Sequence, residues 1–417
     1  MDALYVFVTM VIPKAGAQIA GLPLTLNILL TVFVILKNPN QTIAYIQRFK
    51  GFAITYSVLL CFGLITFFLA LTDGTSPFEL AQIVIVLSSP LVGVAVTRIQ
   101  PETLIKIVIV ATIIVNLYGI IQFLVGVEGS SIGGLTYTYG QSLSSKPIGI
   151  SSGAQQADTK IISTFQNGNS FGIYDVLAFS FLMSRLGVPD GWRIARYVAI
   201  PLSVVGILIC GSRSAVIPFV FMAVFMIGSF LKQMPPRMRS SVGIAMALFA
   251  LVGTVALMAQ GTILQRFWER NVIRTLEDPS ASGRTGQWAN SFDVIKQMTL
   301  PELLRLFFFG RSNTMEIAGE GLPEFFFNFG VVGVCAFYGG MLLIVRHCWK
   351  LSCGRTIAMG LLCIVMAFCV DRTFDFPPNV MLFSLFAAGA LLISGEVGPN
   401  TDRRPTGYQR SRFSTRV

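Results

Sequence analysis

From Ala3 to Ile393 the chain consists of long apolar runs separated by short polar breaks. The runs are continuous rather than alternating, so they read as helices and not as the strands of a membrane barrel. A helix needs roughly 20 apolar residues to cross a bilayer, and on that measure about twelve spans are predicted. They fall near 2–13, 19–36, 51–71, 80–97, 103–125, 170–186, 196–210, 214–231, 241–259, 323–346, 356–371 and 377–395. The first run is followed by Pro13-Lys14-Ala15-Gly16-Ala17, in the manner of a signal peptide. It is preceded by Asp2 and by no Lys or Arg, so it is read as a short first span. No internal repeat stands out, which gives no support to an inverted-repeat transporter.

Composition sharpens this picture. Apolar residues make up 53% of the chain and charged residues 12%, against roughly 25% charged in soluble proteins. With a mean hydropathy of +0.70, the expected fold is an all-α polytopic membrane protein. A soluble enzyme, a disordered protein and a repeat solenoid are excluded. The net charge of +11 is read as topology-setting and lipid-facing charge, with no nucleic-acid partner. Lys37, Arg48, Lys50, Arg98, Lys106, Arg185, Arg193, Arg196, Lys232, Arg237, Arg239, Arg346, Lys350 and Arg355 fall in one set of loops, and the short loops opposite hold Lys14, Arg213 and Arg372. Both termini are therefore expected in the cytoplasm. Residues 1–395 are expected to form the membrane domain and 396–417 a basic, disordered cytoplasmic tail. The seven cysteines fall outside the outward loops, so no disulfide framework is expected.

Two outward segments, 126–169 and 260–322, exceed what a connection needs. The second contains Leu303-Leu304-Arg305-Leu306-Phe307-Phe308-Phe309, which reads as an interfacial segment. The single histidine, His347, stands beside Arg346 in a cytoplasmic loop, so zinc sites and histidine triads are not expected on the outer face. With no Walker A motif and no GxGxxG, no ATP or dinucleotide cofactor is expected, and without an Asp-x-Asp pair a nucleotide-sugar enzyme that holds its diphosphate through a metal is disfavoured.

Arginine, carboxylates and amides remain. Gly211-Ser212-Arg213-Ser214-Ala215 interrupts two apolar spans. An arginine at the start of a helix, on the outer side, suits a lipid-linked phosphate; the alternative is a snorkelling residue. In Ser163-Thr164-Phe165-Gln166-Asn167-Gly168-Asn169-Ser170, Asn167 and Asn169 suit either sugar hydroxyls or a helix cap. Asp175, one turn further, is an intramembrane carboxylate that either pairs with an arginine or orients Arg213. Arg284 and Trp288, then Gly310-Arg311 and Glu320 follow in the second long segment, with Glu324 at the start of the next span. They read either as a salt-bridged loop or as guanidinium groups that stabilise a departing diphosphate while a carboxylate accepts a hydroxyl proton.

In this order the motifs resemble those of the bacterial O-antigen ligase and polymerase superfamily. The matching pieces are the Thr-Phe-x-Asn-Gly-Asn segment at 164–169, Gly-Ser-Arg-Ser-Ala at 211–215, Arg284 to Trp288, Gly310-Arg311, and the acidic approach to a span containing Gly330 and Gly333. The resemblance implies a GT-C-like glycosyltransferase of the bacterial inner membrane, with a large periplasmic loop and its active site facing the periplasm. It implies an undecaprenyl-diphosphate-linked glycan as donor, with Arg213, Arg284 and Arg311 on the diphosphate and no metal. Asn167, Asn169, Asp175 and Trp288 would then contact the glycan. Ligases of the superfamily usually carry a histidine where this chain has Glu320 and Glu324, which points instead to a Wzy-type polymerase. Glu320 is the expected base and Glu324 the second choice, and a chain-length regulator is an expected partner. The alternatives are an O-antigen ligase and a polyprenol-linked glycan flippase. A flippase is disfavoured because ionisable residues avoid the spans.

Overall fold

The computed structural model of the chain describes residues 1–19, 22–140, 160–184, 186–233, 273, 284–310, 320–351, 353–374 and 376–397. The described residues are mostly helical, at 76%. Among the described residues, four helical stretches are long and apolar enough to cross a membrane: Phe52–Thr72, Pro77–Thr97, Pro101–Val125 and Leu322–Lys350. The predicted span at 241–259, the segments 141–159 and 311–319, and the tail from 398 onward lie outside the described residues.

The chain opens with α1 (Asp2–Val11), a hairpin of β1 (Gly16–Ile19) and β2 (Leu22–Thr25), α2 (Leu26–Leu36) and α3 (Pro39–Arg48). Next come α4 (Phe52–Thr72) and α5 (Pro77–Ser88), which a short 3-10 turn joins to α6 (Val94–Thr97). Then follow α7 (Pro101–Val125), α8 (Val127–Ser130), α9 (Gly168–Leu182), α10 (Arg193–Ile209) and α11 (Arg213–Gln233). The last described helices are α12 (Arg284–Gln297), α13 (Leu300–Phe309), α14 (Leu322–Lys350), α15 (Gly354–Val370) and α16 (Pro377–Ile393).

One predicted span needs correction. The apolar run at 19–36 is not a single helix, because residues 16–19 pair antiparallel with 22–25, Gly16 opposite Thr25 and Ile19 opposite Leu22. Pro23 has no N–H for a helical ladder, and Thr25 turns the chain into α2 by accepting from the Ile28 N–H. Tyr139 adds to the hairpin by exchanging backbone hydrogen bonds with Gly16 and Gln18, which ties the segment after α8 to the start of the chain. The long second segment is likewise not bare loop: α12 and α13 lie within it.

Helix starts gather at one end of the bundle. The turns that open α9, α11, α14 and α16 are linked there by side-chain contacts, described below, and α10 and α15 end at the same level. At the opposite end Asp2 pairs with Lys37 and Arg98, and Arg98 also donates to the carbonyls of Val34 and Asn38. That guanidinium ties α1 to the α2–α3 connection, where loose backbone carbonyls would otherwise lack donors.

Near the first end α14 is broken at Gly330, whose φ of 68° lies in the left-handed region. A Cβ there would sit 2.6 Å from the carbonyl oxygens of Leu306 and Phe307, so α13 is seated directly against the break. The Thr66 hydroxyl of α4 donates to the Phe309 carbonyl at 2.7 Å, and Arg305 pairs with Asp73. The predicted interfacial segment is thus a docked helix, still showing Leu300, Leu304, Phe307 and Phe308 on its exposed side.

The start of α9 is packed just as tightly: a Cβ on Gly168 would lie 2.3 Å from the Cys210 carbonyl oxygen. We predict that Gly168→Ala destabilises the protein by about 1–3 kcal/mol through overpacking. Thermal unfolding in detergent checks this, and an unchanged melting temperature would contradict the close approach.

Candidate functional site

The polar residues that sequence reading singled out are held by helix starts. Asn167 caps α9, its side-chain oxygen accepting the Ser170 N–H at 2.8 Å. The segment leading into it is pinned to α7. The Gln122 amide both donates to the Ser163 carbonyl (3.0 Å) and accepts from the Ser163 N–H (2.7 Å). Ser163 is held at a φ of 51°, a conformation uncommon for a residue with a Cβ. Lys14 donates to Gln166 at 3.2 Å, and Lys160 to Asn169 Oδ1 at 3.0 Å.

Arg213 is the first residue of α11 and half-buried. Its two neighbours are turned inward: the Ser212 and Ser214 hydroxyls meet at 2.9 Å, and Ser214 also donates to Asp371 Oδ2 at 2.9 Å. The Asn169 amide donates to the same oxygen. Asp371, only 6% exposed, therefore joins the first turns of α9 and α11 from the link between α15 and α16. Its neighbour Arg372 reaches the other way, pairing with Glu324 in the first turn of α14 and donating to Gln82 of α5 at 3.1 Å. Gly321 lies against the end of α15, where a Cβ would be 2.4 Å from the Cys369 carbonyl oxygen, so Glu320 stands beside that link. Asn379 of α16 donates to both the Ser170 hydroxyl and the Thr373 carbonyl at 3.0 Å.

Below this polar layer lies an aromatic floor. Phe325, next to Glu324, has ring centroids 4.6 Å from both Phe329 and Phe337 and 4.9 Å from Phe374. The apolar floor carries no donors, so the charged groups above it are satisfied by one another and by the helix starts.

Of the predicted site residues, Asn169, Arg213 (through Ser214) and Glu324 are drawn into one connected constellation, with Asn167 capping α9 and Glu320 at its margin. Arg284 opens α12 and Trp288 lies one turn on, but their side chains, like all of Arg311, lie outside the described residues. Asp175 is not brought to the constellation: it is fully buried deeper in α9, where Asn116 donates to it at 2.8 Å.

Sequence reading missed Asp371, Arg372 as a partner of Glu324, and Lys160. A charged pair, Asp371-Arg372, interrupting two apolar helices was the available signal, of the same kind as Arg213. Lys160 gave none. Among the described residues no group of three or more His, Cys, Asp or Glu is placed to hold a metal ion. No family model matches the chain, and no curated protein matches it.

Asp371→Leu would leave the Asn169 amide and the Ser214 hydroxyl without their acceptor. We expect a loss of about 1–3 kcal/mol for each buried group left unpaired, read as a lowered melting temperature. Asp371→Asn, which keeps one acceptor oxygen, should lose less; equal losses would show that the shared oxygen is not what holds the two helix starts.

Proposed function

We propose that this chain is a metal-independent membrane glycosyltransferase that polymerises undecaprenyl-diphosphate-linked oligosaccharide units at the periplasmic face of the bacterial inner membrane. In this reading both termini are cytoplasmic and the end carrying Arg213 faces outward. The observation that carries the reading is the gathering of four helix starts at one end of an apolar bundle, with Asn169 and Ser214 on Asp371 and the Arg372–Glu324 pair beside them. The order of motifs, which resembles that of O-antigen polymerases, supports it.

The chemistry follows from the residues. The anomeric carbon–oxygen bond to the lipid diphosphate breaks, and negative charge builds on the leaving oxygen. Arg213, at the start of α11, meets that charge with its guanidinium and with the partial positive charge of a helix start. Arg284 and Arg311 complete the proposed set. The hydroxyl of a new lipid-linked unit attacks the anomeric carbon and loses its proton to a carboxylate. Glu320 suits this role better than Glu324. Glu324 is only 2% exposed and paired with Arg372, so its part is to orient that guanidinium. The Asn169 amide is engaged at both ends, on Lys160 and Asp371, which leaves Trp288 and the Asn167 amide, whose oxygen caps α9, for the glycan. Asp175 is left out of the glycan contacts.

Arg213→Ala, Arg284→Ala and Arg311→Ala should each stop chain lengthening while leaving the protein in the membrane, with about 2–4 kcal/mol of barrier stabilisation lost per group. Glu320→Gln should abolish turnover more completely than Glu324→Gln. The decisive assay incubates the purified protein with lipid-linked repeat units and resolves the product on a gel, where a ladder is expected. One block added to lipid A-core would make it a ligase, and movement between leaflets without new bonds a flippase. Normal polymer length in all three arginine variants would overturn the site.

A further inference from the structure

Asp175 lies among α7, α9 and α10, below the constellation and outside its chemistry. The Asn116 Nδ2 group donates twice, to Asp175 Oδ1 at 2.8 Å and to the Thr112 carbonyl at 2.9 Å. The other oxygens of the two side chains, Asp175 Oδ2 and Asn116 Oδ1, are buried and have no hydrogen-bond partner among the described residues. They face one narrow gap: the point a Cβ on Gly206 would occupy is 2.1 Å from the first and 2.0 Å from the second. Two acceptor oxygens opposed in an apolar interior are unfavourable, since each keeps lone pairs that nothing fills. One hydrogen between them satisfies both.

We propose that Asp175 carries a hydrogen on Oδ2 and donates it to Asn116 Oδ1, so that the two side chains form a cyclic acid–amide pair. Both Nδ2 hydrogens are then used, on Asp175 Oδ1 and on the Thr112 carbonyl, and both carboxyl oxygens are engaged. No group in the pair bears a net charge, as suits a side chain in the middle of an apolar bundle. Beside the pair, Tyr174 turns its hydroxyl to Thr112 Oγ1 at 3.2 Å.

The pair is a positioning device. It fastens α7 to α9, while Gly206, with no side chain of its own, lets α10 lie directly over it. Helix α9 begins at the Asn167 cap, and α10 runs into the Gly211–Arg213 turn. The register of these two helices therefore fixes where Asn169 and Arg213 stand. Asp175 acts here by shape and hydrogen bonding, so an amide can replace it: Asp175→Asn would present an N–H to Asn116 Oδ1 where the acid presents O–H.

The test uses the full chain in lipid nanodiscs, labelled with isotope-enriched aspartate, and needs no glycan substrate, so its outcome is separate from that of the polymerase assay. Infrared spectra should show a protonated-carboxyl C=O band that disappears in Asp175→Asn. In Asn116→Leu the band should persist but move to higher frequency, because its hydrogen bond is gone. Asp175→Asn should melt as the unaltered protein does, whereas Asp175→Leu and Gly206→Ala, the latter filling the gap, should melt lower. A spectrum in which Asp175 contributes only a carboxylate band would overturn the proposal. So would an Asp175→Asn variant as unstable as Asp175→Leu.

Discussion

A carboxylate with little water around it has to be held by donors, and Asp371 is held by the opening turns of two helices. Asn169 and Ser214 both donate to one of its oxygens, and neither donor is free to turn elsewhere: Asn169 also accepts from Lys160, and Ser214 meets Ser212. Removing a charge from water is costly unless such contacts replace the lost hydration. The arrangement consequently fixes the relative height of α9 and α11, and with it the place where Arg213 emerges. Through the next residue, Arg372, the same link reaches Glu324 and brings α14 and α5 into the same layer.

This layer explains why the break in α14 matters. Glu324 and Phe325 belong to the first part of that helix, above Gly330, and the second part continues through the bundle. Docking α13 against the break places the chain just before Arg311 beside α14. Helix α13 is thereby held to α4 and its end, through Arg305 to Asp73 and the Phe309 carbonyl to Thr66, while Glu324 at the start of α14 is held by Arg372.

The acid–amide pair below shows the same constraint met differently. Around Asp371 the structure supplies donors to a charged group; around Asp175 the geometry leaves two acceptors opposed, and a hydrogen resolves them. The contrast follows from the donors at hand: two side chains of neighbouring helix starts turn onto Asp371, whereas at Asp175 the Asn116 amide is shared with the Thr112 carbonyl and the backbone N–H groups are used in helical hydrogen bonds.

The helices themselves were legible in the chain, because an apolar run long enough to cross lipid has few other ways to satisfy its backbone. Within the described residues the apolar runs fall largely on helix, four of them long and apolar enough to cross a membrane, apart from the first part of 19–36, where Pro23 and Gly16 allow a hairpin that hydropathy does not register. Arg213, Asn167, Asn169 and Glu324 were also visible, as polar breaks at the edges of those runs. The pairing among them was not. Asp371 and Arg372 lie far along the chain from Asn169, Ser214 and Gln82, and only the packing of α15 and α16 against α9 and α5 makes them partners. Hydropathy is a local property and fixes which segments leave water; the distance between two side chains from separate segments is set by how the helices pack, which no single segment carries.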